Sequence, residues 1–196
     1  DNFVIGNQQK SAGTIYLIDF GLCKRINKQN GNVVKPSYHS SFRGTVRYAS
    51  PNAHRHLELG RQDDLISLLY VLVELYMGKL PWTKVTDPDM VFSLKIESQG
   101  GQLVENMPPE FQQFDDHIFT LDYEDEPDYL YLISLLESIA DREGIDLDTR
   151  FDWEIEIAER KAVVVKKQQD YLKQKRFVSM ILANKRQKIC ITNRQI

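Results

Sequence analysis

Asp19-Phe20-Gly21 follows Ile15 to Ile18, a β-branched and aromatic run whose composition suits a buried strand. A carboxylate at a strand end can be presented to a cation. The phenylalanine after it is expected to pack inward, and the glycine gives the backbone freedom to turn. Further along, Arg43 and Arg47 stand four apart around Gly44, with Phe42, Val46 and Tyr48 beside them. Two guanidinium groups on a segment pinned by apolar neighbours suit an anion-accepting concavity. Ser37, Tyr38, Ser40, Ser41 and Thr45 add hydroxyls nearby, phosphate acceptors by chemistry and ordinary loop hydroxyls on the simpler reading.

The elements that must position these groups are legible in outline. Phe3-Val4-Ile5 and Thr14 to Ile18 form a two-stranded ribbon. Lys24 to Ser41 is a long polar loop with a turn signal at Asn30-Gly31 and an interruption at Pro36. Gln62 to Gly78 is the strongest helix, with Asp63 and Asp64 at its start and glycine at its end. It is apolar on every face, which predicts burial on all sides at the centre of the core, while Glu74 and its short length argue against a membrane span. Leu80-Pro81-Trp82 ends this element with a rigid turn and an aromatic anchor.

Helices are expected at Asp89 to Ser98, Glu110 to Leu121 and Tyr129 to Ala140, the last turning Leu132, Ile133, Leu136 and Ile139 inward. The acidic stretch from Asp122 to Asp128 fits no calcium-binding loop spacing. It reads as a solvated loop with Asp128 as a helix N-cap. Trp153 is expected to be a packing anchor.

Composition bounds the rest. A chain of 196 residues with 42% apolar and 27% charged residues makes a soluble domain with a tail, or two small domains. The net charge of −3 hides an asymmetry. Residues 1–155 carry 14 Lys and Arg against 25 Asp and Glu, whereas residues 156–196 carry 11 against 3. That divides the chain at 155/156 into an acidic body and a basic, helical tail, a solvated extension on the simpler reading and otherwise suited to a membrane surface or an acidic partner. No aromatic interleaving supports nucleic acid. Cys23 and Cys190 have no metal-binding spacing and fit a reduced, cytoplasmic setting, with the nucleus also compatible. No signal peptide or transmembrane segment is visible, and the chain, with Asp1 first and Met77 its first methionine, reads as a fragment.

In this order the motifs resemble the large, C-terminal lobe of a protein kinase. Asp1-Asn2 is similar to the end of the catalytic loop and Asp19-Phe20-Gly21 to the metal-binding triplet. Gly44-Thr45-Val46-Arg47-Tyr48 is similar to the substrate-positioning loop, with Ser50-Pro51-Asn52 where most kinases have Ala-Pro-Glu. Arg43 to Ser50 and Gly60 to Leu65 resemble the signatures of the casein kinase one group. Asn52 to Arg55, Leu80 to Trp82, Leu121 to Tyr123, Pro127 to Tyr129 and Phe151 to Trp153 are most similar to the tau-tubulin kinases within it.

The resemblance covers residues 1 to about 155 and implies a mainly α fold with a short β-ribbon, the N-terminal lobe being absent. It implies ATP and Mg²⁺ as cofactors, with Asn2 and Asp19 as metal and nucleotide ligands and Thr45 supporting the catalytic loop. Arg43 and Arg47 would bind a substrate anion, Lys95 being the candidate basic partner, while Phe20, Gly21 and Asp64 serve structurally. Protein substrates that are acidic, phosphorylated or cytoskeletal are implied as partners. The Gly-rich loop, the strand lysine with its glutamate and the catalytic base belong upstream of Asp1, so these residues alone are expected to be inactive. The alternative is a non-catalytic module whose basic tail captures an acidic protein.

Overall fold

The computed structural model describes all residues except 1, 9, 27, 30, 31, 34–40 and 193–196, and leaves out the side chains of 28, 29, 32, 174 and 176–192. The described chain is mostly helical and divides into two compact units, residues 1–20 with 148–196, and residues 21–147.

In the first unit β1 (Phe3–Ile5) and β2 (Ile15–Leu17) pair antiparallel, with Phe3 opposite Leu17 and Ile5 opposite Ile15. The ribbon matches the sequence expectation, but its burial does not. All six strand residues are exposed, and so are Ile18 and Phe20. Strand side chains are buried only where a second layer covers them, and among the described residues of the unit these two strands are the only sheet. The unit also contains α6 (Asp152–Thr192), a single helix running through the 155/156 position. Trp153 is the anchor expected of it: its indole Nε1 donates to the Ala12 carbonyl at 2.7 Å, and its ring stacks on Phe151 at 4.3 Å. The small Ala12 is itself buried.

The second unit begins with a small hairpin, β3 (Lys28–Gln29) and β4 (Asn32–Val33), inside the stretch read as a loop. It continues through α1 (Pro51–His54), α2 (Arg61–Met77), α3 (Pro88–Glu97), a 3-10 turn (Gln102–Val104), α4 (Glu110–Phe119) and α5 (Tyr129–Glu143). The helix boundaries follow local chemistry. Asp87 and Asp128 cap α3 and α5 by accepting from the Asp89 and Tyr131 amides, and Pro88 occupies the first turn of α3. Gly78 ends α2 with φ 75°, a conformation that costs a residue with a Cβ, and returns its amide to the Glu74 carbonyl.

α2 is the hub. Leu65, Ile66, Leu69, Tyr70 and Val73 enter a core shared with Trp82, Val91, Phe111, Phe114, Ile118, Leu132 and Leu135. α4 packs on both α2 and α5, and α1 packs on α3. The helix is not buried all round, however: Leu75, Tyr76 and Met77 in its last turn are exposed. In α5 the inward positions are Leu132, Leu135, Leu136, Ile139 and Ala140, a helical stripe at spacings of three and four. Ile133, one step and roughly 100° round from Leu132, faces out.

Asp115 on α4 is buried and accepts from the Gly101 amide, holding the 3-10 turn at a residue with φ 88°. Burial raises its carboxyl from 3.8 to about 6, against the pull of the Gly101 bond. The native state therefore holds a proton that the unfolded chain releases nearer pH 4. The stability from this group is present below about pH 4 and lost as pH rises through about 6. Asp115→Asn keeps an oxygen for the Gly101 amide and removes the titration. It is expected to be more stable at pH 7 by on the order of 1–3 kcal/mol, with a flatter pH dependence of the urea midpoint between pH 4 and 6.

Candidate active site

The backbone of the ribbon brings the two candidate metal ligands together. The Ile18 amide donates to the Asn2 carbonyl at 2.9 Å, extending the pairing one step beyond the Phe3–Leu17 register. Asn2 and Asp19 thus lie at one end of the ribbon, Asn2 opposite the residue before Asp19. Asp19 has φ 63°, the left-handed region, which few residues other than glycine, asparagine and aspartate occupy. A backbone held there at an exposed carboxylate is a feature that the fold maintains at a cost. Phe20 is 61% exposed, which corrects the expectation that it packs inward. The ribbon offers it no second layer. Asp1 lies outside the described residues.

An amide oxygen and one carboxylate form a hard donor set that suits Mg²⁺, which is commonly held by one or two carboxylates together with nucleotide phosphates. Among the described residues no cluster of three or more His, Cys, Asp or Glu stands ready to hold a metal unaided.

In the second unit, Arg43 to Asn52 forms a bolted segment. The Thr45 carbonyl accepts from the amides of Tyr48 and Ala49, both at 2.9 Å, closing a turn over Val46 and Arg47. Gly44, with φ 101°, leads into it. Arg47 is clamped, its Nη1 donating to Glu74 at 3.2 Å and its Nη2 to the Thr83 carbonyl at 3.1 Å. Glu74 also accepts from the Tyr48 hydroxyl, a bond that raises the phenol above its ordinary value. The Trp82 indole donates to the Arg47 carbonyl at 2.8 Å. Arg43, Gly44 and Thr45 are exposed, so the segment turns these residues to solvent and its lower face to the core. Ser37, Tyr38 and Ser40 lie outside the described residues, while Ser41 is described and exposed.

The two arginines are therefore unlike. Arg47 already faces a carboxylate and a carbonyl, whereas Arg43 is exposed. Lys95 is no anion partner for either: its side chain is buried, with Nζ 2.6 Å from both the Val46 and Ala49 carbonyls and beneath the turn. A lysine on the third helical turn of α3 is hidden from sequence reasoning, because only packing decides which of its faces is inside. Glu74 is a further site residue; its signal in the sequence is an acid within the apolar run from Leu65 to Met77, which points to a buried partner.

Ser50 caps α1, its Oγ accepting from the Ala53 amide at 3.3 Å. The buried carboxylate at the start of α2 is Asp63, which accepts from the Gly60 amide at 2.8 Å. Burial pushes Asp63 up, while Ser50, the Gly60 amide and Asn52 pull it down. Asn52 thus stands by the start of α2, where its side chain hydrogen-bonds to Asp63. Asp64, the candidate brace, is exposed at the same helix start.

A buried apolar helix as hub, a bolted Gly-Thr-Val-Arg-Tyr segment over it and an Asp-Phe-Gly at the end of a ribbon define a protein kinase large lobe. The chain belongs to the protein kinase family: the model of the protein kinase domain matches residues 1–134. Over 155 residues it is 43% identical to a probable serine/threonine-protein kinase of Dictyostelium discoideum, covering 79% of this chain and 31% of that protein. The chain thus spans about a third of the length of this curated relative.

Proposed function

We propose that the protein is a Ser/Thr kinase of the casein kinase one group, most similar to the tau-tubulin kinases, that transfers the ATP γ-phosphate to protein hydroxyls. The observation that carries the phosphoryl-transfer part of this reading is the pairing of Asn2 with Ile18, with Asp19 in the left-handed region at the same ribbon end; the placement in the group rests on the sequence motifs alone. Asn2 and Asp19 are the residues that would hold Mg²⁺. Once bound, the metal neutralises charge on the nucleotide phosphates. Phe20 and Gly21 shape the triplet, while Asp64 and Thr45 keep the supporting roles that the family resemblance gives them.

Arg43 is the better candidate for reading an acidic or phosphorylated substrate, because the Arg47 charge is already engaged by Glu74. Arg43→Ala is expected to raise KM for an acidic peptide up to about fivefold, the scale of one exposed ion pair, and to leave KM for ATP unchanged. An equal rise for a neutral peptide would count against that role. The reading as a whole is tested by incubating the intact protein with γ-labelled ATP, Mg²⁺ and an acidic protein, followed by phosphoamino acid analysis. Label on serine and threonine is expected. Label confined to tyrosine, or none on any substrate, overturns it. The acidic body and basic tail remain assigned to residues 1–155 and 156–196 in this proposal. Among the described residues no helix is long and apolar enough to cross a membrane.

A further inference from the structure

Lys95 is one of the most completely buried side chains of the second unit, with only 1% of its surface exposed. An amine in such a place costs free energy that a methionine of similar shape would not. What the amine adds is direction. Its Nζ donates to the carbonyls of Val46 and Ala49, both at 2.6 Å, and lies 3.3 Å from His54 Nε2. The Thr45 and Arg47 carbonyls already have donors in the Tyr48 and Ala49 amides and the Trp82 indole. Without Lys95, the Ala49 carbonyl would lose this donor in a dry interior, and the Val46 carbonyl would keep the bond from His54.

We infer that Lys95 is a positioning residue of this kinase: its amine, held against the Val46 and Ala49 carbonyls, latches the Val46–Ala49 turn onto α3. The inference rests on the reading of this turn as the substrate-facing segment.

Burial opposes a charge on Lys95, and the groups around it act in both directions. From α2 the Tyr70 ring lies 5.1 Å away, and the Trp82 ring lies at 5.3 Å. Both ring faces favour the charged amine. Tyr70 does not titrate in the working range, since burial, Asp115 and Asp63 all push its hydroxyl up. From α1, His54 is packed between Phe42 and Phe92. Its pKa is lowered by burial first and then by Lys95 and His56, against Asp89 and a backbone bond to Val46. Burial lowers Lys95 itself from 10.5 to about 7. Opening the turn would hydrate the amine and the imidazole and return both towards their ordinary values. The open form then binds more protons than the closed one, so the closed turn gains as pH rises above about 7 and loses as pH falls. Each group that changes protonation on opening alters the opening constant by up to about tenfold per pH unit.

Hydrogen exchange at the Tyr48 and Ala49 amides of the intact protein, corrected for the intrinsic pH dependence of exchange, measures that opening. Between pH 6.5 and 8.5 the wild-type opening constant is expected to fall with rising pH. His54→Gln should retain the slope due to the lysine. Lys95→Met, which keeps the stem volume, should open the turn at least several-fold more often and abolish that slope, with exchange in the middle of α2 unchanged. In the kinase assay Lys95→Met should raise KM for the protein substrate several-fold without changing KM for ATP. A pH-independent opening constant in the wild type overturns the inference, and this arm needs no variant to fold. So does a Lys95→Met protein that exchanges like the wild type. Exchange that responds while substrate KM stays fixed would keep the latch and reject the substrate-facing reading of the turn.

Discussion

Asp19→Asn in the intact protein is expected to lower kcat for phosphoryl transfer by on the order of 10³-fold, with little change in the urea midpoint. Asparagine is nearly isosteric and tolerates the left-handed backbone that Asp19 adopts at φ 63°, so the strand end should keep its shape. What disappears is the full negative charge that a hard cation prefers. Asp19 is exposed, so no large desolvation energy changes with it. Asp19→Gly offers a second check. It also removes the carboxylate while accommodating the positive φ, and is expected to lower kcat as Asp19→Asn does. Activity within tenfold of wild type in either variant, measured at saturating ATP and Mg²⁺, would remove Asp19 from the metal site.

Trp82→Ala carries the largest expected effect on stability, a loss of about 3–5 kcal/mol read from the urea midpoint. The ring is 1% exposed, meets Tyr70 edge-on at 5.0 Å and lies beneath the Lys95 amine. Its removal leaves a cavity in the core, strips the indole donor from the Arg47 carbonyl and takes away a ring face that helps Lys95 carry charge. Trp82→Phe separates these contributions, retaining most of the volume while losing the N–H. The Phe variant is expected to cost about 1–3 kcal/mol, the scale of one buried carbonyl left without that donor. A loss below about 1 kcal/mol for the Ala variant would show that the turn and α2 do not depend on this anchor.

Both predictions concern residues that the sequence marks, but for different reasons. Asp19 stands out because a carboxylate, a phenylalanine and a glycine close a β-branched run. Trp82 stands out as an aromatic after Leu80-Pro81. Neither local pattern tells which atoms the side chain will meet. The indole–carbonyl bond joins residues 82 and 47, and the clamp on Arg47 joins it to residues 74 and 83. Contacts across such separations leave no periodic trace in a single chain.

The sequence by itself determined where the main helices begin and end, because caps, prolines and glycines act within about one turn of the backbone. It also determined the β1–β2 ribbon, the hub role of α2 and the order of motifs that places the chain among the protein kinases. The tertiary structure alone decided burial and partnership. Ile15 to Ile18 have strand composition yet stay exposed, since a strand is covered only by another layer. The last turn of α2 is as apolar as its middle, yet Leu75, Tyr76 and Met77 are exposed. Lys95 looks like a surface cation in the chain and is instead an internal latch, because the rotation of α3 turns it beneath two backbone carbonyls. Local propensity is written in neighbouring residues. Which side chains become dry, and which charges are consumed inside, follows from packing between elements far apart in the chain.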